Sequence, residues 1–405
     1  MVIIATLVVA ACGGGRPTPT PAPTSDATTT GSASPRPTPE PSPEVALTPV
    51  RVQLRWTLGA EFAGYVAAID QGYFESAGLE VTLVEGGPEV AAEVSGSARE
   101  GPEFTVSWVP RVLAARAAGT SDLVDIAQVF RRSSTLTMSF REAEITSPAR
   151  FADKHVGVLP GPDRLEVTSA MAKAGVDPEG DATLLDLGTT VGPLLSGDID
   201  VAQVTLYDTY ASVLEATDRR SGQPYQSADF DVINLEDEGT AMLQDAVFAR
   251  ASWLASEANE ATARAFLKAS AQGWMYCRDH PSDCVDSVVA AGQTIGVEPD
   301  SSPSASPSSP SASPETRLTS GHEAWAMNEV NPLIWPSPDG VGVVDPDAWQ
   351  HTVDVLMGSG AIPATPSEEA YRTDLMQAAL ESLADLDTTG ESFVKGTVEI
   401  TPNAG

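Results

Sequence analysis

Lysine is nearly missing from this chain. Lys154, Lys173, Lys268 and Lys395 are the only four in 405 residues, and 23 basic residues in all stand against 56 acidic ones, a formal net charge of −33. A surface so acidic repels phosphate backbones and anionic lipid heads, which argues against a nucleic-acid or peripheral-membrane role. It suits an exported protein kept soluble by excess acid. Histidine is equally sparse, at positions 155, 280, 322 and 351, scattered and with no cysteine cluster beside it, so no metal site is expected. No Walker loop, Gly-x-Ser-x-Gly elbow or zinc motif occurs. Long apolar runs are absent too: Val2 to Ala11 spans ten residues, about half of what a bilayer requires.

That short run ends in "VAAC", small residues leading to Cys12, followed by Gly13 to Gly15. It resembles the lipobox of bacterial lipoproteins, in which the cysteine is lipidated and becomes the new N-terminus, although only Met1 precedes the run where a basic region is usual. The resemblance implies an extracytoplasmic protein, lipid-anchored to the outer face of the membrane. Residues 1–12 then form the signal and residues 13–49, rich in Pro, Thr and Ser, a solvated tether with almost nothing to bury. The remaining cysteines, Cys277 and Cys284, form a close pair, most simply a disulfide outside the cytoplasm. Pro281 and Asp283 suggest a turn between two helices that brings them within reach.

From Val50 onward the pattern alternates between strand and helix. Strands are expected at 50–56, 79–84, 103–108, 123–130 and 135–140, then at 155–160, 182–187, 201–206, 230–235 and 244–250. Helical spacing fills the gaps and dominates after Ser256. Such alternation implies parallel βαβ units. The two groups of strands imply two α/β lobes: 50–143 in the first, 144–237 in the second, and a return to the first over 238–405, with crossings near 140–147 and 235–245. Residues 299–316, almost wholly Ser and Pro, read as a disordered surface insertion.

An ordered series of motifs sharpens this picture: "RWTLGAEFAGYVAAIDQGYFESAGLEVTLVEGGP", "SWVPRVLAARAAG", "IAQVFRRSS", "LLSGDIDVAQVTLYDTY" and "GTAMLQDAVFA". It resembles the solute-binding proteins of ABC importers, with the two-lobed type II periplasmic-binding fold. Within them it is similar to the branch that shares its fold with the fungal thiamine-pyrimidine synthase and includes binders of thiamine pyrimidine precursors. A later block, "GWMYCRDHPSDCVDSVVAAG" with "WAMNEVNPLIWPSPDGVG", is similar to a subgroup associated with riboflavin. The resemblance implies a monomer without cofactor, whose cleft closes on a small heteroaromatic solute and presents it to a membrane permease and its ATPase. It implies binding without chemistry. The fungal enzyme depends on pyridoxal phosphate and a cysteine-rich motif, and the latter is lacking here. A solute-sensing lipoprotein is a further alternative. Nitrate, sulfonate and taurine binders share the fold, but aromatic rather than basic residues mark the expected site.

Ligand contacts in open α/β folds come from loops at the carboxyl ends of strands. Trp56 and Trp108 sit at such ends and would wall a flat ring, with Glu61, Phe62 and Tyr65 beginning the next helix beside Trp56. Tyr207 follows the strand at 201–206 in the second lobe and either faces them or packs at the hinge. Glu61 accepts from the ligand or only complements a helix start. Gln128, polar in an apolar strand, bonds either ligand or backbone. Gly87 in "EGGP" lets backbone approach a ligand or simply makes a turn. Glu238 and Asp245 face the cleft or mark the crossing, and Trp335 packs the first lobe. After the strand at 155–160 the family usually offers a glycine-rich loop. Here "GPDRLEV" stands instead, where Asp163 would cap a helix and Arg164 would reach a ligand carbonyl or anion.

Overall fold

A computed structural model describes residues 46–188, 190–293 and 318–400. The lipobox with Cys12, nearly all of the tether and the Ser/Pro insertion lie outside these residues. Two five-stranded sheets organise the chain. The first contains β1 (Thr48–Gln53), β2 (Leu79–Val84), β3 (Phe104–Trp108), β4 (Leu123–Gln128) and β10 (Asp245–Arg250), ordered β2-β1-β3-β10-β4. The second contains β5 (Thr135–Phe140), β6 (His155–Val158), β7 (Thr183–Asp186), β8 (Val201–Thr205) and β9 (Phe230–Asn234), ordered β7-β6-β8-β5-β9. β1 runs parallel to β2 and β3, as helical crossovers require. β10 enters from the other lobe and is therefore antiparallel to both β3 and β4. β5, the first strand after the outward crossing, is likewise antiparallel to β8 and β9. The protein is a two-lobed α/β fold, and none of its described helices is long and apolar enough to cross a membrane.

Three boundaries differ from expectation. β5 belongs to the second sheet, so the first crossing occupies residues 129–134 rather than 140–147. Apolar strands flank that point on both sides, and the marker between them is the polar "RRSS" at 131–134. The tether ends earlier than residue 49, because Thr48 and Pro49 already pair with Leu79 and Glu80. β1 stops at Gln53, three residues before Trp56, which places Trp56 in the connecting loop.

A close helix crossing lies at the centre of the first lobe's core. The Ala63–Asp70 helix lies against the Glu257–Asp279 helix, and glycine at both contact points makes this possible. A Cβ on Gly64 would stand 2.2 Å from the Trp274 ring, and one on Gly273 would stand 1.9 Å from the Gly64 carbonyl. Phe266 stacks on Phe104 (4.1 Å between centroids) and Phe74 (5.2 Å) in the same core. Beyond Asp279 the chain turns at His280 into the Pro281–Gly292 helix, and the Cys277–Cys284 disulfide closes that turn. Trp335 is buried in this lobe, its ring under the Arg278 guanidinium.

Candidate functional site in the interlobe cleft

The loop after β1 carries Arg55 and Trp56 between the lobes. Its path is set by the "EGGP" loop after β2. The Gly86 amide donates to the Trp56 carbonyl (2.8 Å), the Gly87 amide to the Arg55 carbonyl (3.3 Å), and Glu85 Oε1 accepts from the Leu58 amide (2.7 Å). A Cβ on Gly86 would lie 2.4 Å from the Leu54 carbonyl oxygen, so only glycine lets the two loops approach this closely. Gly87 has φ of +138°, open to glycine almost alone.

Arg55 is the centre of the cluster so held. Its guanidinium lies 4.4 Å from the Trp108 ring centroid and 5.9 Å from that of Trp56. Nη2 donates to the Tyr207 hydroxyl across the cleft (3.2 Å), and Nε stands 3.5 Å from Asp245 Oδ1. Burial works against its charge, but Tyr207, Asp245, Asp163 and Glu61 together hold its pKa above the ordinary value. Asp245 titrates above the usual carboxylate range because it is buried, an effect that Arg55 only partly offsets. Arg55 Nε, Trp108 Nε1 and both Asp245 carboxylate oxygens are buried and make no hydrogen bond of good geometry.

A second group adjoins it. Glu61 is buried, and that burial, reinforced by Glu323 and Asp208, pushes its carboxyl well above the ordinary range. Glu323, on the Ser320–Ile334 helix, accepts from the Ala60 amide (2.8 Å), and burial carries it up to about 7. At the other side of the cleft Arg111, on the Val109–Ala117 helix, makes a two-point pair with Asp163 of the second lobe (Nε–Oδ1 2.8 Å, Nη2–Oδ2 2.7 Å).

The structure sorts the expected residues. Trp56, Glu61, Trp108 and Tyr207 meet around Arg55, and Gly87 shapes the loop behind them. Trp108 presents its face to the guanidinium, so it extends an Arg–Trp platform instead of forming an open wall. Phe62 and Tyr65 do not join: the helix they begin is packed on the Glu257–Asp279 helix, which turns both rings into the first-lobe core, Tyr65 stacked on Phe266 at 6.3 Å. Gln128 resolves to backbone, its Nε2 donating to the carbonyls of Phe130 (2.8 Å), Gln244 (3.2 Å) and Asp245 (3.3 Å). Of the pair near the crossing, Asp245 joins the cluster. Glu238 stays on the second lobe's surface, its carbonyl accepting from Lys173 (2.6 Å). Asp163 caps no helix and instead bridges the lobes. Arg164 pairs with Asp186 (2.7 Å) on the second lobe. Arg55, Arg111, Asp208, His322 and Glu323 were not anticipated. Arg55 alone left a trace, a lone cation in the otherwise uncharged "VQLRW".

The profile of the family described as NMT1/THI5 like matches residues 59–284, more than half of the chain and the span from the Glu61 loop to Cys284. The chain belongs to this family. A formylaminopyrimidine-binding protein of Halalkalibacterium halodurans is 25% identical over 243 residues, covering 60% of this chain and 70% of that protein. Among solved structures, a putative periplasmic sulfonate-binding protein of an ABC transporter from Methylobacillus flagellatus superposes with a TM-score of 0.57 at 15% identity, over 84% of this chain and 96% of the other. The desulfurization enzyme DSZB superposes with a TM-score of 0.50 at 12% identity, over 83% and 99%. These structural likenesses agree on the two-lobed architecture, and one is named a binding protein and the other an enzyme, so the fold by itself does not fix the function.

Proposed function

We propose that this chain is the substrate-binding component of an ABC importer and that it captures a small amino-substituted heteroaromatic, a thiamine pyrimidine precursor, between its lobes. The observation that carries the reading is the lining of the cleft. Trp56, the Arg55–Trp108 platform and Tyr207 supply flat surfaces, while Glu61, Asp245, Asp208 and Glu323 outnumber the one buried arginine among them. A ring with amino and ring-nitrogen groups can stack on the first set and bond to the second, a combination that fixes both affinity and orientation. A sulfonate or nitrate would meet mostly carboxyls. The similarity to a formylaminopyrimidine-binding protein supports the same class. The proposal is binding and delivery without chemistry, by a monomer anchored through Cys12 and docking on a permease.

The test is a thermal-shift titration with a formylaminopyrimidine, the corresponding hydroxymethyl aminopyrimidine and riboflavin in separate samples. A ligand at a hundred times its Kd stabilises by about 2.7 kcal/mol. A shift with a pyrimidine is the expected result. A shift with riboflavin alone replaces the ligand class, and no shift with any of the three removes it.

A further inference from the structure

The cleft is also bridged beside the Arg55 cluster, at the start of the Ser320–Ile334 helix. His322, on the Ser320–Ile334 helix of the first lobe, places Nδ1 3.1 Å from Glu215 Oε1 and Nε2 3.7 Å from Asp208 Oδ1, both on the second lobe. Trp325, one turn further along, donates from Nε1 to the Leu206 carbonyl (3.1 Å) and stacks on Tyr210 at 5.9 Å. Every one of these contacts joins a first-lobe helix to the segment after β8, so each exists only while the lobes are together.

We propose that His322, Glu215 and Asp208 form a proton-operated latch across the cleft, taking up protons as the lobes close, so that ligand is held more tightly in mildly acid than in alkaline surroundings. This rests on the cleft being the ligand site. Among the described residues, the charges around His322 are Glu215 and Asp208 opposite it and Glu323 beside it, with Arg55 acting on Asp208 and Glu61 coupled to Glu323 and Asp208. Burial by itself lowers the histidine's pKa, but the Glu215 hydrogen bond and the charges of Glu215, Asp208 and Glu323 raise it above the ordinary value. The macrodipole at this helix start opposes a cation, so the partners across the cleft supply the gain. Asp208 and Glu61 are also raised, chiefly by burial, and Glu323 reaches about 7.

All four groups therefore shift in one direction. When the lobes part, His322 returns to water and to a value of about 6.5. Closure is thus favoured fully below that value, and the latch's contribution disappears as pH rises through the higher closed-state value. Glu61 and Glu323 both belong to the first lobe and keep part of their shift when open. The His322 contacts are the part made by closure.

The experiment uses the full chain with Cys12→Ser, spin-labelled at Arg219→Cys and Asp354→Cys on opposite lobes, without ligand, between pH 5.5 and 9.5. The interlobe distance should shorten toward acid, and His322→Gln should remove most of that change. A distance that ignores pH, or one that responds equally in His322→Gln, overturns the latch. Glu215→Gln, which keeps the shape and deletes the charge, should flatten the response in the same way; an unchanged response there also overturns it. In parallel, calorimetry with a formylaminopyrimidine in buffers of different ionisation enthalpy counts protons taken up on binding. Up to one per site is expected, weakening Kd by at most about tenfold per pH unit. A probe that fails to bind removes the ligand class, while the distance measurement still judges the latch.

Discussion

Replacing Asp163 by Ala removes the Arg111–Asp163 bridge, together with one of several charges that act on Arg55. Asp163 is 3% exposed and Arg111's side chain 18%, and their bond is two-point and joins the lobes. Within a rigid core, deleting one partner of such a pair costs about 3–5 kcal/mol, because a charge is left stranded. Here Arg111 has an escape: the lobes part and water reaches it. The penalty therefore falls on the closed state and not on the fold. What closure loses is roughly one charge-assisted hydrogen-bond pair, about 1.5–3 kcal/mol net, and at about 1.4 kcal/mol per decade the ligand's Kd should rise on the order of tenfold to a hundredfold. Gln203 donates to the Asp163 main-chain carbonyl (2.7 Å), so the loop keeps its shape in the variant. Calorimetric titration with a formylaminopyrimidine measures the first quantity, and urea unfolding of the ligand-free variant measures the second. An unfolding free energy lowered by the full 3–5 kcal/mol with binding unchanged would show that the pair holds the fold, and the reasoning would fail.

Trp56→Ala should weaken ligand binding by at least about tenfold, from the lost ring stacking together with the apolar area it buries, while leaving the ligand-free melting temperature near its original value; calorimetry and a thermal scan check both. Gly86→Ala should displace the Arg55–Trp56 loop from its support at the Leu54 and Arg55 carbonyls, lowering affinity and stability together, since the added Cβ meets backbone. Glu166 offers a pH test. Burial lifts it to about 8 although Ser133 and Met242 bond to it. A carboxyl raised in the folded state gives stability that is complete below about 4.3 and lost as pH climbs through 8. The urea midpoint should accordingly fall between pH 5 and pH 9, and Glu166→Gln should reduce that slope.

The strands were legible from period and composition because a half-buried strand must alternate and a fully buried one must be apolar. The first crossing was not, since β4 and β5 are both apolar strands and the turn between lobes differs from a hairpin only in "RRSS". Trp56, Glu61 and Tyr207 could be placed at the site because they follow strands. Phe62 and Tyr65 follow β1 as well, but the direction of a helical side chain depends on what the helix packs against, here Trp274 and Phe266, some two hundred residues away. Arg55 carries little local signal for a related reason: its buried cation is held beside Asp245 and Tyr207, and both come from distant sequence.

The two crossings are fastened to one another. Gln244 takes the Ser134 amide and hydroxyl on its oxygen (2.8 and 2.7 Å) and gives its nitrogen to Ser133 and Thr135 (3.0 and 2.9 Å), while Glu166 accepts from Ser133 (2.7 Å) and Met242 (2.8 Å). Paired chains lashed side by side resist torsion much better than one alone, so the two crossings form one braced strap between the lobes instead of two independent threads.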